Sequence, residues 1–210
     1  MSRTRVLLVD DHAVVRQGYR RLLEREENLA VVGEAGTGAE AYHEFCRLSP
    51  DIVVMDVSLP DVSGIEAMRR MLAREPEARV LMFSMHEETI FPARALEAGA
   101  RGYVTKASAP EVLVDAVRAV AAGTMYLSHD VAQALALKNV SDGAVDALSA
   151  REFEIMRLLV AGDSIPAIAE KLALSAKTVA NYQSSIRAKL GAENAAQLLA
   201  IAARHGLAGK

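Results

Sequence analysis

Cysteine occurs once in this chain, at Cys46, and tryptophan not at all. A single thiol excludes an intrachain disulfide framework and suits a reducing cytosol. No uninterrupted apolar run approaches the roughly 18 residues that a membrane span needs. The stretch Arg5-Val-Leu-Leu-Val-Asp-Asp is too short and too soon acidic for a secretory signal. A surplus of positive charge is also missing: 24 Lys and Arg face 27 Asp and Glu, a net charge of −3. That sum excludes a uniformly basic protein but not one basic domain. What is present is 51 % hydrophobic and 24 % charged, which fits a folded chain rather than a disordered one. Its 210 residues allow one large domain or two small ones. The expectation is a cytoplasmic protein without a membrane segment.

Two textures alternate over the first 123 residues. Short runs rich in Val, Ile and Leu recur at 5–9, 30–33, 51–55, 79–83 and 102–104. Between them lie stretches with helical spacing, such as Val15, Tyr19 and Leu22. Near-continuous apolar strands separated by helices predict a parallel sheet covered on both faces. Five such strands make a doubly wound α/β domain with right-handed crossovers. After Gly123 the strand texture stops, and a short helix over 129–138 followed by a linker is expected. From Leu148 on, the chain reads as all-α. Ser149-Ala-Arg-Glu152 fits a capping box, while Gly162 and Gly191 fit helix ends. The expected domains are therefore 1–123, a helix and linker over 124–146, and an all-α four-helix domain over 147–210. Charge divides with them: residues 1–125 carry 15 basic and 19 acidic side chains, residues 147–210 carry 8 and 5. Four cations alone (Lys171, Lys177, Arg187 and Lys189) also fit an ordinary solvated helix face.

In an open parallel sheet, ligands bind beyond the carboxyl ends of the strands. Strand one ends in Asp10-Asp11, strand three in Asp56 and strand four in Ser84; strand five is followed by Lys106. A lone Asp after a strand is ordinarily a turn or a helix cap. Three carboxylates, a hydroxyl and an amine on one sheet edge make a different case. Clustered carboxylates suit a hard divalent cation that bridges to phosphate oxygens. A carboxylate can also accept a phosphoryl group as an acyl phosphate, with a cation and an ammonium neutralising the transferring oxygens. One enzymatic alternative remains open: Gly36-Thr-Gly38-Ala-Glu-Ala41 fits the dinucleotide pattern, with Asp56 20 residues beyond Gly36. That pattern follows the second strand rather than the first and leaves Asp10, Asp11 and Lys106 without a role. Cys46 and His12 have no evident partners and read as structural or surface residues.

These residues resemble the receiver domains of bacterial two-component response regulators. The likeness rests on Asp10 and Asp11 in Val-Leu-Leu-Val-Asp-Asp-His, Asp56 in Val-Val-Met-Asp-Val-Ser-Leu-Pro-Asp, Ser84 in Met-Phe-Ser-Met-His, and Lys106 in Gly-Tyr-Val-Thr-Lys, and it covers 4–121. It implies that Asp56 is the phospho-acceptor. It implies Mg²⁺ on Asp10, Asp11, Asp56 and the backbone carbonyl of Ser58, with Lys106 pairing the phosphate. Ser84 and Tyr103 resemble the family's switch pair; a plain core aromatic is the alternative for Tyr103. Met85 stands where many receivers have a small residue, and its bulk is expected to narrow access to Asp56.

Residues 164–190 read as two helices about a tight turn at Ala173-Leu174-Ser175. Such a layout is also common in helical packing modules. Leu148-Ser-Ala-Arg-Glu152, Leu158-Leu159-x-x-Gly162, Ile168-Ala169-x-x-Leu172-x-Leu174-Ser175-x-x-Thr178-Val179 and Ile186-x-x-Lys189-Leu190-Gly191 resemble the LuxR-type DNA-binding domain. Together the two halves resemble response regulators of the NarL/FixJ class. This implies a transcription factor, not an enzyme, phosphorylated on Asp56 by a sensor histidine kinase. The helix from Ser175 to Leu190 would enter the major groove of promoter DNA. Ala180, Asn181, Gln183 and Ser184 would face bases or backbone, and Lys177, Thr178, Arg187 and Lys189 would favour phosphates. Leu198, Leu199 and Ile201 on the last helix would form a homodimer contact. RNA polymerase is a further implied partner. The chain has Ala180 and Tyr182 where many relatives have Lys and His, and no basic residue follows Gly191 closely. Fewer cations predict a shallow salt dependence.

Overall fold

The computed structural model describes residues 3–86, 88–137, 145, 147–205 and 207. The chain forms two compact units, 1–137 and 138–210. In the first, strands and helices alternate: β1 (Thr4–Val9), α1 (Ala13–Leu23), β2 (Leu29–Ala35), α2 (Gly38–Leu48), β3 (Ile52–Met55), α3 (Gly64–Arg74), β4 (Val80–Ser84), α4 (Ile90–Glu97), β5 (Gly102–Thr105), α5 (Pro110–Ala121), β6 (Tyr126–Leu127) and α6 (His129–Leu137). All strands pair in parallel, in the order β2-β1-β3-β4-β5-β6.

The central strands form from apolar runs whose polar residues, Ser84 and Thr105, stand at the carboxyl ends of β4 and β5. All of β3, β4 and β5 is buried, as sheets covered on both faces require. Edge strand β2 alternates buried and half-buried positions. One core of Val6, Leu8, Ile52, Val54, Leu81, Phe83, Val104 and Val117 runs through sheet and helices.

The strand count differs from the sequence expectation. The sheet has six strands, not five, because Tyr126–Leu127 pairs with Gly102–Tyr103. Two residues give no readable apolar run, yet two backbone bonds seat them: Tyr126 N–H donates to Arg101 O (3.1 Å) and Ser128 N–H to Tyr103 O (3.1 Å). Thr105 Oγ1 then donates to Asp130 Oδ2 (2.7 Å), which ties α6 to the end of β5. Residues expected between the domains thus belong to the first unit through Leu137. The linker expected over 139–146 lies outside the described residues, Val145 apart.

The second unit is helical: α7 (Ala150–Val160), α8 (Ile165–Lys171), α9 (Ala176–Leu190) and α10 (Ala195–Arg204). Each starts on a side-chain cap, from Ser149, Ser164, Ser175 and Asn194, and Ser149 and Glu152 form the full capping box. Gly162 (φ 91°) follows α7 and Gly191 (φ 64°) ends α9, both in the left-handed region that glycine enters freely. Ile155, Met156, Ile168, Val179, Ile186 and Ala202 fill its core with no exposed surface.

Candidate phosphoryl site and DNA-binding face

Strand order reverses between β1 and β3, and there the crossovers diverge and leave a crevice. Val9 and Met55 are register partners, so Asp10 and Asp56 leave the sheet side by side. The Asp56 N–H donates to Val9 O (3.0 Å), which locks this pairing. Lys106 arrives from the end of β5, its own N–H held by Ser84 O (2.8 Å). Its ammonium donates to Asp10 Oδ2 (2.6 Å) and Asp56 Oδ2 (2.5 Å). All three side chains are almost wholly buried. Residues 96 and 50 positions from Lys106 are thereby joined.

Burial pushes the Asp56 carboxyl above the usual carboxylate range, against the pull of Lys106. Burial opposes the charge on Lys106, yet Asp56 and Asp10 hold its ammonium above the usual lysine range. Asp11 lies at the rim, where His12 Nδ1 approaches its Oδ1 to 2.6 Å. Asp10, Asp11 and His12 bring ligand atoms within 4.8 Å of one another, an acidic cluster compatible with a divalent cation. His12 therefore has the partner that sequence reasoning missed; the signal available was its place directly after two acids.

Ser84 is fully buried, and its Oγ accepts the His86 N–H (3.3 Å). Tyr103 is also fully buried and donates its hydroxyl to His86 O (2.9 Å). Burial raises its phenol above the usual range, opposed by the Ser84 hydroxyl. Ser58 N–H donates to Asp56 Oδ1 (3.2 Å). Met85 is 71 % exposed, and its neighbour His86 hydrogen-bonds Ser58 (2.8 Å).

The dinucleotide alternative fails on geometry. The N–H groups of Gly38 and Ala39 at the start of α2 donate to Asp61 Oδ1 (2.7 Å) and Oδ2 (2.9 Å). Thr37 takes the Glu40 N–H (3.1 Å) and Glu40 the Gly36 N–H (2.9 Å). Side chains of the protein thus fill the place a pyrophosphate would take.

In the second unit, Lys177, Asn181, Ser184 and Ala188 are exposed at helical spacing and make one stripe of α9. Ala180, Gln183 and Arg187 flank it, half-buried. Thr178 donates its N–H to Ser175 Oγ (3.0 Å) at the helix start. Lys189 lies off this stripe and donates to Glu152 Oε2 (2.7 Å). Arg187 turns to the carbonyls of Ala192 and Glu193. Lys171 pairs with Asp163 (2.9 Å). Of the last-helix residues, Leu198 is 4 % exposed and belongs to the unit's own core, whereas Leu199 is 46 % exposed and Ile201 half-buried. Adjacent residues on a helix point about 100° apart, so Leu198 and Leu199 cannot share one face.

Comparison with known proteins agrees with both halves. Residues 6–118 match the response regulator receiver domain family, and residues 146–202 the luxR family of bacterial regulatory proteins. Response regulator GacA of Pseudomonas viridiflava is 42 % identical over 207 residues, 97 % of each chain. Response regulator UvrY of Escherichia coli K12 is 39 % identical, over 96 % of this chain and 94 % of that one. A solved structure of the RcsB response regulator from Salmonella typhimurium covers all of both chains at 27 % identity, TM-score 0.79. Another, RcsB from Salmonella enterica serovar Typhimurium bound to promoter DNA with the phosphomimetic BeF3⁻, is 28 % identical, covers 95 % of this chain and 98 % of that one, and has a TM-score of 0.77.

Proposed function

Since this chain belongs to the two-component response regulators that join a receiver to a luxR-family DNA-binding domain, we propose that Asp56 is the residue through which a histidine kinase controls it. The protein is a DNA-binding transcription regulator and not an enzyme. One observation carries the assignment of Asp56: the Lys106 ammonium bridges Asp10 and Asp56 at the sheet's switch point. Two carboxyl groups meet one ammonium there, and Asp11 at the rim adds a third set of hard oxygen donors beside His12. Asp10, Asp11, Asp56 and the Ser58 carbonyl would hold Mg²⁺, which when bound supplies charge neutralisation for the phosphoryl oxygens.

The residues of the chain do the rest. An Asp56 oxygen forms the new P–O bond, and the donor's leaving group departs with its electron pair. Lys106 stays to pair the phosphate. Ser84 offers its hydroxyl to a phosphate oxygen, and the Tyr103 ring next to it responds. That shift biases the helical unit toward a dimer on DNA. Lys177, Asn181 and Ser184 then face the major groove, with Ala180, Gln183, Thr178 and Arg187 at its margin. Leu199, the exposed one of the three last-helix residues, remains for the dimer contact, while Ile201 lies toward the core side with Leu198. Two recognition helices would read half-sites about one helical turn apart. RcsB bound to promoter DNA, and RcsB dimers bound to DNA, are the precedent for a dimer on DNA. RNA polymerase at that promoter is the partner a transcription regulator would meet. No described helix is long and apolar enough to cross a membrane, and the reading places the protein in the cytoplasm with its DNA.

The test is intact mass after incubation with acetyl phosphate and Mg²⁺, with Asp56→Asn in parallel. One hydroxylamine-labile phosphoryl adduct on the wild type alone is the expected result. The same adduct on Asp56→Asn would overturn the assignment.

A further inference from the structure

The first strand ends at Val9, so the Asp10 carbonyl needs a donor from outside the sheet. The Arg16 guanidinium on α1 supplies it, donating from Nη1 to Asp10 O. Arg16 Nε donates to Glu34 Oε2 (2.9 Å), near the end of β2. Arg20, one helical turn on, donates from Nη1 to Glu34 Oε1 (2.7 Å), so both oxygens of that carboxylate are held. Burial pushes the Glu34 carboxyl up, but the Arg20 and Arg16 donors outweigh it and hold the group below the usual range. The next residue of β2, Ala35, accepts the Asp10 N–H (3.1 Å). Strand β2 thus grips Asp10 at both of its peptide groups, directly at the N–H and through Arg16 at the carbonyl. That carbonyl and the Asp11 N–H belong to one planar unit, so fixing the one aims the other. Asp11 has weak anchors of its own: its side chain is 33 % exposed and meets His12, which is 70 % exposed. Arg16 and Glu34, at 18 % and 23 %, are the better shielded pair. Neither has a part in the chemistry derived above.

We propose that Arg16, braced by Glu34, is a positioning residue that orients the peptide between Asp10 and Asp11 and so sets the affinity of the acidic cluster for Mg²⁺. The proposal rests on the reading of Asp10, Asp11 and Asp56 as the Mg²⁺ site. A small hard cation demands near-ideal octahedral geometry, so carboxylates that must first be reoriented bind it less well. Residues that hold metal ligands in place are therefore worth affinity without touching the ion. Arginine suits the task because its rigid fork aims two N–H groups at once, one at the Glu34 carboxylate and one at the Asp10 carbonyl. Its charge works the other way. A guanidinium beside a cation site repels the ion. Removing Arg16 therefore tightens Mg²⁺ binding if charge dominates and weakens it if positioning dominates. The two roles differ in sign, not only in size.

The experiment titrates the full chain with Mg²⁺ alone and follows the ¹⁵N–¹H amide resonances of Asp10, Asp11 and His12. Arg16→Ala should weaken Mg²⁺ about tenfold, the lower end of what the loss of such an outer partner costs. Arg16→Lys keeps the charge but not the fork, and should weaken it about threefold, as for one hydrogen bond lost. Glu34→Ala should weaken binding in the wild type but add little in the Arg16→Ala chain, since both changes release the same peptide. Arg20→Ala removes a cation of the same network but leaves both bonds of Arg16, and should stay within about twofold of the wild type. Thermal melts of all variants separate positioning from misfolding, because affinity should follow the Arg16 bonds rather than the melting temperature. Should Arg16→Ala fail to fold, Arg16→Lys carries the test. Unchanged or tighter binding in Arg16→Ala would overturn the proposal, as would wild-type affinity in Arg16→Lys. An Asp11→Asn chain that binds Mg²⁺ like the wild type, or a wild type whose acidic loop does not respond to Mg²⁺, would instead overturn the metal site itself.

Discussion

Glu152 is buried at 4 % exposure and still satisfied on both oxygens. Oε2 accepts the Ser149 N–H (2.7 Å) and the Lys189 ammonium (2.7 Å), and Oε1 accepts the Ser185 hydroxyl (2.7 Å). Burial pushes this carboxyl up, but Lys189 and the Ser149 and Ser185 donors outweigh it and hold the group down at about 2. A carboxyl held below its unfolded value stabilises the fold above that value and loses the contribution as pH falls through the folded one. Stability from Glu152 is therefore complete above about pH 4.5 and disappears toward pH 2. In thermal melts, Glu152→Gln should trail the wild type clearly at pH 7, with the gap closing between those two values. Lys189→Ala should reproduce part of that deficit, about 1–3 kcal/mol for an under-satisfied buried acceptor. The capping half of this role was legible in Ser149-Ala-Arg-Glu152. The pull on Lys189, 37 positions away, was not, because only the packing of α9 on α7 brings them together.

At the scale of elements, the loop from β3 to α3 is held as tightly as the strands. Asp61 caps α2, Ser63 caps α3, and the Gly64 N–H donates to Val57 O (2.8 Å). A Cβ on Gly64 would collide with the Asp56 carbonyl oxygen. Gly64→Ala should therefore push that loop aside, cost about 1–3 kcal/mol by overpacking, and lower phosphoryl uptake with Asp56 intact. Gly18, inside α1, has nothing within 4 Å of such a Cβ. Gly18→Ala should instead stabilise by about 0.5–1 kcal/mol through helix propensity. Parallel melts and adduct yields of the two variants check the pair; equal losses would mean that the loop yields freely. The sequence shows both glycines alike, and only the approach of a backbone carbonyl separates them.

For the whole molecule, free positive charge on the proposed DNA-facing side of α9 is scarcer than a count of lysines and arginines suggests. Lys171, Arg187 and Lys189 are engaged within the unit, while Lys177 is exposed on the α9 stripe. Each phosphate contact adds about −0.9 to the slope of log K against log salt. In anisotropy titrations, Lys177→Ala should flatten the slope by about 1 per subunit and weaken all sequences alike. Asn181→Ala should change which sequences are preferred, by about 1–3 kcal/mol at one base pair. A uniform effect from both would displace α9 from the groove, and a slope change from Lys189→Ala matching that from Lys177→Ala would mean that its bond to Glu152 opens on DNA.

The sequence by itself determined the parallel α/β class, the helical second unit, the capping box at Ser149, and the acidic pair, Asp56, Ser84 and Lys106 at strand ends. Those follow from local rules: apolar runs of strand length, helical spacing, and the placing of ligands beyond the carboxyl ends of parallel strands. Tertiary structure decided what depends on contacts between distant segments. A two-residue strand at Tyr126–Leu127 exists only because β5 offers it an edge. Leu198 is core and Leu199 surface because of how α10 is turned against its neighbours. The His86 ring meets Ser58 and Phe91, residues 28 positions before it and five after it, because the loops after β3 and β4 lie together. Periodicity fixes which residues share a face, but hydrogen bonds between elements far apart in sequence leave no pattern in it.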